Sequence, residues 1–142
     1  MIDIKGKKTP VYNHVKEVNL FLQEAGKSLA DWDNKYIAGY KNGKLVDKKS
    51  SPVGTPTGKS FNIVFGTFTK DNNLRIVFAN NSFTKKATFV FTPEKTFQFV
   101  KNISLFHTKI IQKKKMLNVE IEPGGCAVVE FATLNLIKQQ KE

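Results

Sequence analysis

Apolar and polar residues alternate along much of this 142-residue chain, most clearly near its C-terminus. In the stretch 117–131, LNVEIEPGGCAVVEF, every second residue is apolar from 117 to 121 and again from 127 to 131. A period of two is typical of a β-strand with one apolar face. Because the Pro-Gly-Gly run at 123–125 favours a turn, the pattern predicts a hairpin of two strands.

Short alternating runs separated by turn residues fill the chain after residue 34. Asn42-Gly43 is a typical two-residue hairpin turn, and residues 48–60 have the Pro, Gly, Ser and Thr content of a loop. The further predicted strands are 36–40, 45–47, 61–69, 74–79, 87–91, 97–100 and 109–112. This spacing predicts a mainly β fold, an antiparallel β-sandwich of about eight strands, with an N-terminal amphipathic helix before it.

The N-terminal helix is predicted from a different period. Thr9-Pro10 is a helix start, with Thr as the N-cap and Pro at the first helical position, and Gly26 is the predicted C-cap. Apolar residues then recur every three or four positions, which forms one stripe on the helix surface. A single amphipathic helix needs a partner surface. The predicted docking stripe consists of Val11, Val15, Val18 and Leu22.

The length predicts one main domain with an appended helix. We assign residues 1–33 to the helical segment, 34–137 to the β-sandwich domain and 138–142 to a tail. Twelve Phe residues supply much of the expected core. The one cysteine, Cys126, can form no disulfide within the chain and is predicted to be a small buried side chain.

The charge balance limits the expected partners. Lys and Arg number 23 against 12 Asp and Glu, a net charge of +11, and Arg75 is the single Arg. Proteins that read phosphates and bases favour the planar, bidentate Arg side chain over Lys. The lysines are spread along the chain, so a solvated surface and protection of sheet edges are the favoured interpretation, and specific nucleic-acid binding is the disfavoured alternative.

Motifs for catalysis, cofactors and metals are absent from the sequence pattern. Two isolated His residues predict neither a metal site nor a catalytic triad, and the strand carboxylates Glu120, Glu122 and Glu130 are better explained by cross-strand ion pairs. Residues 54–60 end in Gly-Lys-Ser but lack the spacing of a phosphate-binding loop. No run approaches the roughly 18 apolar residues that span a bilayer, and no signal peptide is expected, so the compartment stays unassigned.

Aromatic residues outside the clearest strands offer a second type of site. Rings that face solvent can stack on sugars, although most aromatic residues of a β-sandwich lie in the core. The candidates for glycan stacking are Trp32, Tyr36, Tyr40, Phe83 and Phe106.

Two parts of the chain together resemble a known family. GKKTPVYNHVKEVNLFLQEAG at 6–26 resembles the last helix of the catalytic barrel in β-galactosidase-like (β/α)8 glycoside hydrolases. The stretches 63–91 and 117–131 are similar to the β-sandwich that follows that barrel. The residues that match the helix pattern of the family are Gly6, Lys7, Thr9, Pro10, Tyr12, Val15, Lys16 and Asn19.

The resemblance implies a non-catalytic C-terminal module, because the catalytic glutamates of the family lie upstream of that helix and no position here matches them. It implies that the docking stripe packs on a (β/α)8 barrel, with a second copy of the chain or the sandwich itself as alternatives. A parent protein of this kind could be periplasmic or extracellular. A carbohydrate-binding module that uses exposed aromatic residues is the alternative function, and a basic nucleic-acid-binding protein is the third.

Overall fold

The structure is a computed structural model that describes residues 5–7, 10–46 and 53–134. The chain divides into two compact units, Met1–Asp31 and Trp32–Glu142. The first unit contains the helix and the second contains the β-strands. The elements in chain order are α1 (Pro10–Leu29), β1 (Asp33–Lys41), β2 (Lys44–Leu45), β3 (Gly54–Thr57), β4 (Ile63–Lys70), β5 (Asn73–Asn80), β6 (Ala87–Pro93), β7 (Phe97–Lys113) and β8 (Met116–Thr133).

Helix α1 begins at Pro10, as its sequence predicts, and the proposed N-cap Thr9 lies outside the described residues. The helix continues to Leu29, so the prediction of a C-cap at Gly26 is wrong. Gly26 does not have the positive φ of a left-handed cap. The residues after it are compatible with a helix, so the helix continues past the glycine.

The second unit is one curled antiparallel sheet of eight strands, which confirms the predicted mainly β fold with an N-terminal helix. The strand order is β2-β1-β4-β5-β8-β6-β3, and β7 pairs with β8 off this path. The predicted Asn42-Gly43 hairpin is confirmed: the two residues have φ values of 51° and 75° and join β1 to β2. Positive φ at both positions is what this turn requires.

The predicted hairpin at 117–131 is wrong, because β8 runs through Pro-Gly-Gly as one strand. Residues 117–121 pair with β6, whereas residues 126–132 pair with β5. The four residues 122–125 form an excursion at which the strand changes partner, and β7 pairs with its other edge before and after this excursion. A Cβ atom on Gly125 would lie 2.8 Å from the carbonyl oxygens of Phe106 and His107, so glycine permits this close approach of β7.

The hairpin partner of β8 is β7, one long strand where the sequence predicts two short ones at 97–100 and 109–112. This strand has 17 residues and would span about 56 Å if it were straight. Three register shifts interrupt its pairing with β8, and bulges of this kind bend a strand. Residues 97–99 at its start and Gln112 at its end consequently line one common cleft.

Part of the predicted loop at 48–60 is also a strand. Residues 47–52 lie outside the described residues, but Gly54–Thr57 forms β3 and pairs with β6. Pro56 is tolerated because β3 is the last strand of the order, where a missing N–H costs no ladder hydrogen bond.

Aromatic rings fill the space inside the curl. The ring of Phe78 on β5 lies 5.5 Å from that of Phe89 and 5.2 Å from that of Phe91, both on β6. Phe65 on β4 is 6.4 Å from Phe91. Strands β4 and β5 therefore face β6 across a shared core, and ring pairs at these distances stabilise it beyond the area that they bury.

Candidate functional site

Three connecting segments form an open cleft of about 550 Å³ at one end of the sheet. They are the Asn42-Gly43 turn, residues 61–62 before β4 and the loop 81–84 after β5. We call this the Phe83 cleft. Its side-chain lining consists of Tyr40, Lys41, Asn42, Val46, Asn62, Ile63, Asn81, Ser82, Phe83 and Thr84.

Hydrogen bonds between the three segments hold the Phe83 cleft together. The backbone N–H of Asn42 donates to Oδ1 of Asn62 at 2.9 Å, and that of Gly43 donates to the Phe61 carbonyl at 2.9 Å. On the other side, the N–H of Asn81 donates to the Asn62 carbonyl at 3.0 Å. The middle segment thus fixes both walls.

The loop that carries Phe83 is anchored by the buried side chain of Asn80. Its Nδ2 donates to the carbonyls of Lys85 at 2.8 Å, Ile121 at 3.0 Å and Glu122 at 3.2 Å. Its Oδ1 accepts from the backbone N–H of Ser82 at 2.9 Å. A buried amide with its hydrogen-bonding capacity filled in this way rigidifies the backbone around it.

Phe83 stands at the tip of this anchored loop with 95% of its surface exposed. In the part of the chain that the structure describes, the side-chain amides of Asn42 and Asn81 make no hydrogen bond, and neither does Nδ2 of Asn62. Of the described residues that line the cleft, none is a carboxylate and Lys41 is the one that is charged. The cleft therefore offers one apolar ring beside neutral groups that both donate and accept hydrogen bonds.

The structure places the other proposed stacking residues differently. Tyr40 and Phe106 are buried, with 7% and 9% of their surfaces exposed, so neither presents a ring face to solvent. The Tyr40 ring packs in the core, with its centroid 5.7 Å from that of Phe61, and Tyr40 also lines the Phe83 cleft. Tyr36 is half-buried against Phe65, at 5.9 Å between ring centroids.

Trp32 is covered on one face by an arginine. The guanidinium carbon of Arg75 lies 4.2 Å from the centre of the Trp32 ring, and its Nη2 is 3.7 Å from Glu130. This arrangement is a cation–π contact that is supported by an ion pair. The covered face of Trp32 is consequently not open to a sugar. Of the four residues Trp32, Tyr36, Tyr40 and Phe106, Tyr40 alone lines the Phe83 cleft.

The proposed docking stripe on α1 is only partly exposed. Val11 and Leu22 have 59% and 57% of their surfaces exposed, whereas Val15 and Val18 are half-buried. The buried residue of the helix is Phe21. The stripe is therefore a mixed surface, with apolar side chains available for contact at both of its ends.

The strand carboxylates form the ion pairs that their positions predict. Lys86 Nζ lies 3.0 Å from Glu122 and 4.0 Å from Glu120, and the contact with Glu122 raises the pKa of that lysine. Glu130 pairs across the sheet with Arg75 and with Lys101 at 4.0 Å. Within the described ranges, no group of His, Cys, Asp and Glu is arranged to hold a metal ion.

Cys126 lies on β8, and burial raises the pKa of its thiol to about 11. A thiol with that pKa is almost entirely protonated at neutral pH, and the protonated form is a poor nucleophile. This state suits a packing role better than a reactive one.

Comparisons with protein-family models, with curated proteins and with solved structures find no match for this chain. Among the described residues, the one helix is not apolar enough to cross a membrane.

Sequence reasoning named Phe83 as a candidate but missed its polar neighbours. Asn42 and Asn62 are 20 residues apart, and Asn81 follows 19 residues later. No local pattern links them, because the pairing of β1 with β4 and of β4 with β5 brings them together. The one local signal is that each asparagine lies in a turn or next to a strand end, where ligand-binding side chains are common.

Proposed function

We propose that this chain is a non-catalytic, β-rich module that binds carbohydrate through the Phe83 cleft. The observation that carries the proposal is the solvent-facing Phe83 ring on an anchored loop, next to side-chain amides that make no hydrogen bond within the described structure. The apolar C–H face of a sugar can stack on such a ring, and stacking removes apolar surface from water.

The polar lining favours a neutral polyhydroxy ligand over a charged one. Each sugar hydroxyl both donates and accepts hydrogen bonds, and so do the amides of Asn42, Asn62 and Asn81. A few well-placed polar groups beside an aromatic ring are typical of small-ligand sites. The described lining contains one lysine and no carboxylate, so it supplies neither the charge to select an anion nor the acid pair that glycoside hydrolysis requires.

The resemblance of the sequence to glycoside hydrolases supports the same class of ligand. A β-rich domain that follows a catalytic barrel would keep the enzyme on its polysaccharide if it bound sugar weakly. On this proposal the chain is an accessory module of a glycoside-hydrolase-like protein and breaks no glycosidic bond itself.

Affinity electrophoresis tests the proposal directly. The protein is run in native gels that contain soluble glucans, xylans, galactans or mannans. For each polysaccharide that retards the protein, calorimetry measures the affinity. We expect retardation in at least one gel, an at least tenfold loss of affinity for Phe83→Ala, and retained affinity for Phe83→Trp. Aryl glycosides should not be hydrolysed.

Val100→Ala is the matched control, because Val100 is an exposed apolar residue on β7 away from the cleft. It should bind like the unmodified protein. Equal mobility of the unmodified protein in every gel, or equal affinity of Phe83→Ala, contradicts carbohydrate binding at this cleft.

A docking role for α1 is the second candidate, and the exposure of Val11 and Leu22 favours it. Apolar side chains at both ends of the stripe would be buried against a (β/α)8 barrel or a second copy of the chain. This role is compatible with carbohydrate binding, since the residues belong to a different unit of the chain.

A further inference from the structure

A second cleft lies where the two ends of β7 meet, and the carbohydrate-binding proposal does not use it. Its volume is about 420 Å³, which suits a small organic molecule. We call it the Phe97 cleft. The β6–β7 connection, both ends of β7 and the β7–β8 turn line it.

The floor of the Phe97 cleft is apolar and its rim is cationic. Phe97 and Phe99 are half-buried and pack against the core with part of their surfaces, and both also line the cleft. Lys95, Lys114 and Lys115 also line it, and Glu94 is the one carboxylate among the described lining residues. The described rim therefore carries two more positive than negative charges.

These three lysines make no ion pair within the described structure. The carboxylates of β8 are instead paired with Lys86, Arg75 and Lys101. Three like charges around one apolar cavity repel each other, and an anion placed among them would relieve that repulsion.

The walls of the Phe97 cleft are held in place by the fold. The backbone N–H of Glu94 donates to the Val53 carbonyl at 2.9 Å, and that of Leu134 donates to the Thr96 carbonyl at 3.0 Å. The Gln112 amide donates to the carbonyl of Lys114 at 3.1 Å and so supports the turn that carries two of the lysines.

From the apolar floor and the uncompensated lysines we infer that the Phe97 cleft binds an organic carboxylate with an apolar body, such as an aryl or alkyl carboxylate. The apolar body lies against Phe97 and Phe99, which removes their remaining surface from water. The carboxylate faces the lysine rim, where ammonium groups form charge-assisted hydrogen bonds with it. A neutral sugar satisfies neither requirement, so this ligand class differs from that of the Phe83 cleft.

Competition with a fluorescent anion tests the inference on the full chain. The probe is 8-anilinonaphthalene-1-sulfonate, and the competitors are 4-phenylbutyrate, dodecanoate and the neutral 4-phenylbutanol. We expect saturable probe fluorescence, displacement by both carboxylates and at least tenfold weaker displacement by the alcohol. Amide NMR shifts on adding 4-phenylbutyrate should centre on residues 95–99 and 112–115.

The decisive variant changes Lys95, Lys114 and Lys115 to Gln. Its control changes Lys59, Lys85 and Lys109 to Gln, three exposed lysines outside the cleft, so that both proteins lose the same net charge. We expect the first variant to weaken carboxylate binding at least tenfold and the second less than twofold. Equal weakening in both, shifts centred on the Phe83 loop, or no displacement by either carboxylate would overturn the inference.

Discussion

The side-chain Nδ2 of Asn80 donates a hydrogen bond of 3.0 Å to the carbonyl oxygen of Ile121. This contact joins the last residue of β5 to the point on β8 where that strand leaves β6. The same amide binds the carbonyls of Lys85 and Glu122. One buried side chain therefore fixes two segments: the part of β8 where that strand changes partner, and the loop that carries Phe83.

Replacing Asn80 should destabilise the sheet and disturb the Phe83 loop together. Asn80→Ala leaves buried carbonyl groups without their donor, and we expect the free energy of unfolding to fall by about 2–3 kcal/mol. Urea denaturation measures this loss. Asn81→Ala is the control, because Asn81 is exposed and its side chain makes no hydrogen bond within the described structure. Equal stability of the two variants would show that the Asn80 contacts do not anchor the loop.

Two glycines should respond to alanine in opposite directions. At Gly54, which has a φ of 158°, a Cβ atom would overlap the Phe91 ring and lie 2.7 Å from the Thr92 carbonyl. We expect Gly54→Ala to cost about 1–3 kcal/mol of stability in urea denaturation, because a buried ring and backbone must shift.

Gly26 is the counterpart in α1, and a Cβ atom there would meet nothing within 4 Å. Gly26→Ala should stabilise the helix by about 0.5–1 kcal/mol, since glycine loses more backbone entropy on folding. Thermal unfolding followed by far-ultraviolet circular dichroism compares the two variants. A loss of helix content in Gly26→Ala would instead indicate that Gly26 caps the helix.

The Arg75–Trp32 contact can be followed through the single tryptophan of the chain. Arg75→Lys keeps the positive charge but removes the planar group that covers the ring. We expect a red shift of Trp32 emission and a loss of about 1 kcal/mol in stability. Lys101→Gln is the control, because Lys101 is more exposed and lies 4.0 Å from the same carboxylate. It should leave the emission unchanged and cost less than about 0.5 kcal/mol.

The raised pKa of Cys126 predicts that the protein loses stability at alkaline pH. Burial raises the pKa of the folded thiol from 9.0 to about 11, so the unfolded state loses its proton first as the pH rises. The contribution of the thiol is fully present below pH 9 and declines between pH 9 and about 11. Urea denaturation at several pH values should show a smaller decline for Cys126→Ser.

The raised pKa of Tyr40, which also results from burial, should leave some alkaline loss in Cys126→Ser. The rate of thiol modification gives an independent measurement, and it should reach half its maximum near pH 11 instead of pH 9. Half-maximal modification at pH 9 would mean that the thiol is open to water.

Leu22, at one exposed end of the α1 stripe, provides a test of docking. We expect the unmodified chain to self-associate in sedimentation equilibrium and Leu22→Asp to abolish this, because a carboxylate in an apolar contact loses its hydration. Gln23→Asp adds the same charge at the neighbouring exposed position and should still associate. A monomer at all concentrations would exclude the second copy and leave the barrel domain as the proposed partner.

The local pattern determined where most strands lie and how α1 begins. Alternation predicts β4, β5 and β6 because each has one face in the aromatic core, and Asn42-Gly43 predicts its hairpin because few dipeptides accept positive φ twice. Pro10 predicts the helix start because its fixed φ suits the first turn. These features depend on residues within a few positions of each other.

Tertiary pairing decided the path of β8, the length of β7 and the composition of both clefts. Pro-Gly-Gly is compatible with a turn, but pairing with β7 on one edge and with β6 and then β5 on the other keeps the strand in one direction. Asn42 and Asn62 meet the Phe83 loop, and Lys114 and Lys115 meet Phe97, only after the strands have paired and the sheet has curled. Such contacts join residues that are distant in the chain, so their geometry depends on strand pairing and not on local sequence.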